Sequence, residues 1–82
     1  DLAILVDQTI PAVVIQDTIR SSAGGWLKEC FIFDVYQGKG VPAGRKSVAL
    51  GMILQHPDRT LVDDEVVVLT ERVVQALQGQ LG

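Results

Sequence analysis

Apolar and polar residues recur at different spacings along the chain, and each spacing predicts an element. Residues 2–6 form a short apolar run between polar neighbours, which is typical of a central strand covered on both faces. Pro11 then stands at a position typical of a helix start, and Gly24-Gly25 marks the helix end. Between them, one apolar stripe has helical spacing: Ala12, Ile15, Ile19 and Ala23.

Further along, the apolar period drops to two, which is typical of strands. In the first such run, one predicted face holds Phe31, Phe33 and Val35, and the other holds Cys30, Ile32, Asp34 and Tyr36. In the second run, one face holds Val48, Leu50, Met52 and Leu54, and the other holds Ser47, Ala49, Gly51 and Ile53. Glycines and a proline occupy the intervening loop, residues 37–45. These patterns predict an antiparallel hairpin.

A second helix is predicted over residues 63–78. Its first turn is acidic, which the helix dipole favours, and Thr60 is a candidate cap just before it. We expect Gly79 to begin the exit from this helix. Its apolar stripe consists of Val66, Leu69, Val73 and Leu77.

The predicted order of elements is strand, helix, strand, strand, helix. That order favours an α+β fold of the ferredoxin-like split βαββα type, in which an antiparallel sheet carries two helices on one face. A fourth strand would follow Gly82 and lie beside the first strand, so we expect it to be truncated or missing. The chain is interpreted as one domain, residues 1–82, that is a fragment of a larger subunit.

Charge is distributed unevenly along a chain whose formal net charge is −3. This balance argues against a general nucleic-acid coat, because such proteins are usually basic. Between Asp34 and Asp58, however, every charged residue is a cation: Lys39, Arg45 and Lys46. The hairpin loop is therefore predicted to be electropositive on an acidic body, with an ordinary solvated loop as the alternative.

The sequence also argues against disulfides, membrane spans, metal sites and a phosphate-binding P-loop. Cys30 is the single cysteine, which excludes an internal disulfide, favours a reducing compartment, and is most simply a buried apolar residue. No apolar run approaches the length of a membrane span, and we expect no signal peptide. His56 lacks a second ligand at metal-binding spacing, and residues 38–40 lack the spacing of a phosphate-binding P-loop.

The most distinctive side chains lie around the hairpin. Asp34 and Tyr36 share a predicted face, and Ser47 lies across the hairpin from them. If the helices cover the other face, these three side chains lie on an open surface. Aromatic stacking and hydrogen bonds to base edges are the usual means of recognising unpaired RNA bases. Two plainer roles stay open: a tyrosine at a strand boundary, and an aspartate that initiates a turn.

Four segments, DLAILVD, FDVYQGKGVPAGRKSVAL, HPDRTL and DDEV, carry a family resemblance over nearly the whole chain. Together they resemble the C-terminal ferredoxin-fold anticodon-binding domain of the bacterial phenylalanyl-tRNA synthetase beta subunit. The single-chain organellar form of that enzyme, which ends in the same domain, ranks second. The resemblance implies that this domain has no active site or cofactor of its own. In the family, phenylalanine is attached to tRNA with ATP and Mg²⁺ in the alpha subunit.

The resemblance also implies roles for individual residues. The Tyr36 ring would stack on the first anticodon base, a guanine in this family, while Asp34 and Ser47 would make polar contacts. The implied partners are the tRNA(Phe) anticodon, the alpha subunit and the other beta-subunit domains, in the cytoplasm and without membrane or DNA. The loop cations would approach phosphates and position the RNA: Lys39, Arg45 and Lys46.

Two positions depart from the family pattern, and two other functions stay open. Many relatives have a basic residue where Gly51 stands, and many have Ser or Thr, capping the second helix, where Val62 stands. A free-standing small-ligand-binding or oligomerisation domain of similar fold is one alternative. An acylphosphatase-like enzyme is the other, but it needs an arginine after the first strand, where this chain has Asp7-Gln8-Thr9.

Overall fold

A computed structural model describes residues 2–82. The element order and the ferredoxin-like α+β fold agree with the sequence prediction. A short 3₁₀ turn, Gly24–Trp26, separates the first helix from the second strand. The bounds of the main elements are β1 Leu2–Asp7, α1 Ala12–Ala23, β2 Leu27–Tyr36, β3 Arg45–Leu54 and α2 Asp63–Leu81.

The three strands form an antiparallel sheet in the order β1-β3-β2. Strand β3 is central, so Ser47 lies between Leu5 of β1 and Tyr36 of β2. Within residues 2–82, β1 and β2 are the edge strands. This order leaves the outer side of β1 for the expected fourth strand, which stays a prediction.

Both helices pack on the same face of the sheet and enclose one core. Val48 and Leu50 of the central strand are fully buried under them. Thr18 is buried as well, and its hydroxyl donates to the Val14 carbonyl oxygen at 2.9 Å, which satisfies the polar group. No described element covers the opposite sheet face, which we call the open face. The other core residues are Ile4, Val6, Ile15, Ile19, Ala23, Cys30, Leu69, Val73 and Leu77.

Strand β2 does not keep the strict alternation that the sequence suggested. Cys30 is buried in the core and Ile32 packs against it, whereas Asp34 and Tyr36 are exposed. The prediction that these four share one face is wrong. The cause is a β-bulge in β2. Ile32 pairs with Leu50 and Asp34 pairs with Ala49, which are adjacent in β3, so β2 has one extra residue between Ile32 and Asp34. The bulge reverses the facing of every residue that follows it.

Helix α2 begins and ends differently from the prediction. Val62, not Thr60, is the residue before the helix, and its amide donates to a Glu65 carboxylate oxygen at 3.2 Å. A valine has no acceptor to cap the helix in return, so only one half of a capping box is made. The helix also continues through Gly79 to Leu81, because Leu81 extends the apolar stripe and packs against the core.

Candidate nucleic-acid interface

The open face brings together three of the six predicted site residues. Asp34 pairs with Ala49 and Tyr36 pairs with Ser47, on the side of β3 that faces away from the buried Val48. The structure therefore places both β2 side chains where the sequence analysis expected them, although for a different reason. The bulge produces this placement, and uninterrupted alternation from Cys30 would have buried them.

The Tyr36 ring is held by its own loop. Its hydroxyl donates to the Lys39 carbonyl oxygen at 3.0 Å, and an added Cβ at Gly38 would lie 3.3 Å from the hydroxyl oxygen. Gly38 has a φ of 137°, a conformation that side chains rarely adopt, so the close turn requires glycine. The Tyr36 side chain remains 47% exposed. A restrained aromatic ring with an accessible surface is suited to stacking on a base.

Asp34 presents an exposed carboxylate beside this ring. Within residues 2–82 the carboxylate accepts no hydrogen bond, so the turn-initiating role is not seen in the structure. Ser47 is half-buried across the strand pair and places a hydroxyl close to Tyr36. A free carboxylate can accept from the N–H groups of a base, and a hydroxyl can either donate or accept.

The three predicted cations do not form one patch. Lys39 is exposed in the loop next to Tyr36. Arg45 pairs with Asp7, and its guanidinium donates to the Leu5 carbonyl oxygen at 3.0 Å, which turns it towards β1.

Lys46 lies on the opposite side of the sheet from Tyr36. It pairs with the buried Val6, and its ammonium group donates to the Ile10 carbonyl oxygen at 2.5 Å. Adjacent residues of a strand point to opposite faces, so Lys46 cannot share a face with Ser47. The prediction that it joins the other cations is therefore wrong in its geometry.

Asp7 closes the end of β1 near this region. Its carboxylate accepts from the Thr9 hydroxyl at 2.6 Å and from the Thr9 amide at 2.9 Å. These hydrogen bonds, with a smaller contribution from the Arg45 and Lys46 charges, lower the pKa of Asp7. The loop after β1 is therefore ordered by an acid and is not arranged to hold an anion.

Sequence reasoning missed an aromatic pair on the open face. The ring centroids of Phe31 and Phe33 are 6.0 Å apart and tilted by 45°, and both side chains are exposed. Strict alternation would place these two residues on the opposite face from Tyr36. The bulge leaves Phe33 as the extra residue between Ile32 and Asp34, and it puts Tyr36 on the same face as Phe31.

A cavity away from the open face lies between the start of α2 and the end of α1. It has a volume of about 510 Å³, and its lining includes Trp26, Glu65 and Val68. Beside it, Arg59 makes a bidentate ion pair with Glu65, with both N–O distances at 2.5 Å. This pair lowers the pKa of Glu65 to about 2. No pattern in the sequence indicated this ion pair.

Comparison with known proteins assigns the fold to a family. The sequence profile described as "Ferredoxin-fold anticodon binding domain" matches residues 1–82. The chain belongs to the ferredoxin-fold anticodon-binding domain family. The family is named for anticodon binding.

Relatives of this anticodon-binding domain share one name. The chain is 48% identical over 81 residues to the phenylalanine–tRNA ligase beta subunit of Pseudomonas fluorescens Pf-5. It is 46% identical to that of Nitrosococcus oceani and 37% identical to that of Halalkalibacterium halodurans, each over 82 residues. These alignments cover 99–100% of the chain but only 10% of each relative. The chain thus spans about a tenth of their length.

Away from the open face, His56 lies just after strand β3 in this anticodon-binding domain. Within residues 2–82 no three His, Cys, Asp or Glu side chains cluster in a way that could hold a metal ion. His56 instead accepts from the Asp58 amide at 3.0 Å and packs against Trp26, with ring centroids 5.1 Å apart and ring planes tilted by 58°. Neither α1 nor α2 has the length and apolar character required to cross a membrane.

Proposed function

We propose that the domain holds the anticodon of tRNA(Phe) on its open sheet face. One observation carries the proposal: Tyr36 and Asp34 lie on the same uncovered face, one with an accessible ring and the other with an exposed carboxylate that accepts no hydrogen bond within residues 2–82. The ring stacks on the first anticodon base, and the carboxylate accepts from the N–H groups of a guanine. Ser47 supplies a hydroxyl to that base or its neighbour.

The chemistry of the carboxylate favours a base over a phosphate. An anionic group repels a phosphate, so a site centred on Asp34 selects base edges that carry donors. Guanine presents a ring N–H and an exocyclic amine on one edge, and both can reach a single carboxylate. The positive charge lies to the side, on Lys39 and Arg45, where it meets the backbone of the same RNA.

The domain acts within a longer protein in this proposal. The relatives are phenylalanine–tRNA ligase beta subunits about ten times as long, so we place the chain in a beta subunit with its alpha-subunit partner. Aminoacylation with ATP and Mg²⁺ then takes place outside this domain, in the cytoplasm. The domain contributes tRNA affinity and anticodon discrimination and takes no part in the chemical step.

Binding of an anticodon stem-loop RNA tests this function. The chain is expected to bind a stem-loop with guanine at the first anticodon position more tightly than one with inosine, which lacks the exocyclic amine. Asp34→Asn should reduce that preference, while Val67→Ala, an exposed residue of α2, should leave it unchanged. Equal affinity for both RNAs would contradict the proposal. A rise in melting temperature with free amino acids, and no RNA binding, would favour the small-ligand alternative.

A further inference from the structure

Phe31 occupies an unusual position on the open face, directly over a glycine of the central strand. Phe31 pairs with Gly51, and a Cβ added to Gly51 would lie 2.7 Å from Cζ and 2.9 Å from Cε2 of the ring. Real Cβ atoms essentially never lie this close to another atom, so a side chain at position 51 would force the Phe31 ring to move. The outer end of the ring therefore rests on the β3 backbone, at a place that only glycine leaves free.

This arrangement makes the ring an accessible part of the surface and not a core residue. Phe31 is 39% exposed and its neighbour Phe33 is 53% exposed. Leu5 and Ile53 are exposed on the same face, which gives the open face an apolar character. Small soluble domains rarely expose contiguous apolar surface without a binding role.

The Phe31 ring is continuous with the proposed anticodon site. Its partner Gly51 lies four residues along β3 from Ser47, the partner of Tyr36. At about 3.3 Å per residue, the two positions are about 13 Å apart. Stacked nucleotides advance by about 3.4 Å each, and splayed ones by more, so about 13 Å corresponds to at most four nucleotide steps. One anticodon loop can span that distance.

We propose that Phe31, seated over Gly51, is a second stacking platform for a base of the same RNA strand. This inference rests on the proposed function, because it requires the anticodon to be bound at Tyr36. It adds the path that the RNA strand takes across the sheet. The RNA runs from Tyr36 along β2 towards Phe31, and Phe33 supports the Phe31 ring at its edge. Glu29 pairs with Ile53, two residues beyond the Phe31–Gly51 pair on each strand. Its exposed carboxylate repels phosphate, so the path of the RNA ends there.

Two substitutions test the platform through binding of the guanine-containing anticodon stem-loop. Phe31→Leu keeps an apolar side chain but removes the aromatic face, and should weaken binding by about fivefold or more. Gly51→Ala leaves Phe31 in place but forces its ring off β3, and should weaken binding as well. Val13→Ala, an exposed apolar residue of α1, is the matched control and should bind as the parent does.

The double variant distinguishes a stacking platform from general damage. In the Phe31→Leu background, Gly51→Ala should have no further effect, since no ring is left to displace. Stem-loops with a single abasic nucleotide then locate the base that stacks on Phe31. At one position within four nucleotides of the first anticodon base, removal of the base should weaken binding to the parent chain but not to Phe31→Leu. Circular dichroism melting of each variant establishes that it is folded.

The outcomes separate this inference from the proposed function. If the parent chain does not bind the stem-loop, both fail. If Tyr36→Ala weakens binding but Phe31→Leu and Gly51→Ala do not, the function stands and the platform is overturned. Additive effects of the two substitutions would also overturn it. If the stem-loop binds with Phe31 uninvolved, the apolar patch belongs to a protein contact instead.

Discussion

The hydroxyl of Tyr36 donates to the carbonyl oxygen of Lys39, three residues further along the chain, at 3.0 Å. This single bond couples the orientation of an exposed ring to the shape of the hairpin loop. The loop also carries Gly38, whose backbone conformation is one that side chains rarely adopt and where an added Cβ would crowd the Tyr36 hydroxyl at 3.3 Å. A ring that is oriented before the ligand arrives loses less conformational entropy on binding.

Substitutions of Tyr36 should separate the stacking ring from its restraint. Tyr36→Ala removes the ring and should weaken stem-loop binding by about 5- to 150-fold, the usual range for loss of one stacked base. Tyr36→Phe keeps the ring and removes only the bond to the Lys39 carbonyl, so its effect should be several times smaller. Equilibrium titration measures both, and equal losses in the two variants would contradict a stacking role.

An alanine at Gly38 should weaken RNA binding more than one at Gly40, because only Gly38 lies close to the Tyr36 side chain. Both glycines have positive φ, so alanine at either position strains the backbone and should lower the melting temperature. Only an alanine at Gly38 approaches the Tyr36 hydroxyl, because an added Cβ at Gly40 meets nothing within 4 Å. Gly38→Ala should therefore weaken stem-loop binding more than Gly40→Ala does. The prediction fails if the two variants bind alike.

The salt dependence of binding should distinguish Lys39 from Lys46. Each phosphate neutralised by a cation contributes about 0.7 to the slope of log affinity against log salt for a single strand. Lys39→Gln should lower the slope by about that amount, whereas Lys46→Gln should leave it unchanged, because the Lys46 ammonium is bound to Ile10 on the helix side. Titrations at four salt concentrations measure the slopes. A lower slope in Lys46→Gln would contradict the assignment.

The ion pair between Arg59 and Glu65 predicts a specific loss of stability in acid. The Arg59 hydrogen bonds and the Val62 amide lower the pKa of Glu65 from 4.5 to about 2 in the folded domain. The lowered pKa means that the carboxylate stabilises the fold above pH 4.5, and that this contribution is lost as the pH falls towards 2. Glu65→Gln should therefore show a shallower fall in melting temperature across that interval.

Asp64→Asn is the control for the acid experiment, since Asp64 lies in the same helical turn but outside the ion pair. The melting temperature of Asp64→Asn should fall in acid as steeply as that of the parent chain. Some dependence should remain in Glu65→Gln, because the pKa of Asp7 is lowered as well. If the melting temperature of Glu65→Gln falls with pH as steeply as that of the parent, the ion pair does not form in solution.

The sequence was sufficient to predict the order of the elements and the faces of the helices. Helix α1 follows its stripe at Ile15 and Ile19, and α2 follows its stripe at Leu69 and Val73, because burial of one apolar face decides where a helix packs. Family resemblance then directed attention to Asp34 and Tyr36. Their placement beside Ser47 follows from the antiparallel pairing of the hairpin.

Details that depend on one residue of register could not be predicted. No residue type marks the bulge after Ile32, yet it decides whether Asp34 faces the core or the solvent. The same limit hid the shared face of Phe31 and Tyr36. The separation of Lys46 from Ser47, by contrast, follows from regular alternation along β3, so the sequence pattern was sufficient to predict it. The length of α2 depends on Leu81 packing against the core, which outweighs the low helix propensity of Gly79.

The most direct test of the open-face assignment is an NMR titration of the isotopically labelled chain with the guanine-containing anticodon stem-loop. The account predicts amide shift changes concentrated at Asp34, Tyr36 and Ser47, with little change at Ile19 and Val73 beneath the opposite face. Changes confined to the two helices, with these three amides unmoved, would contradict it.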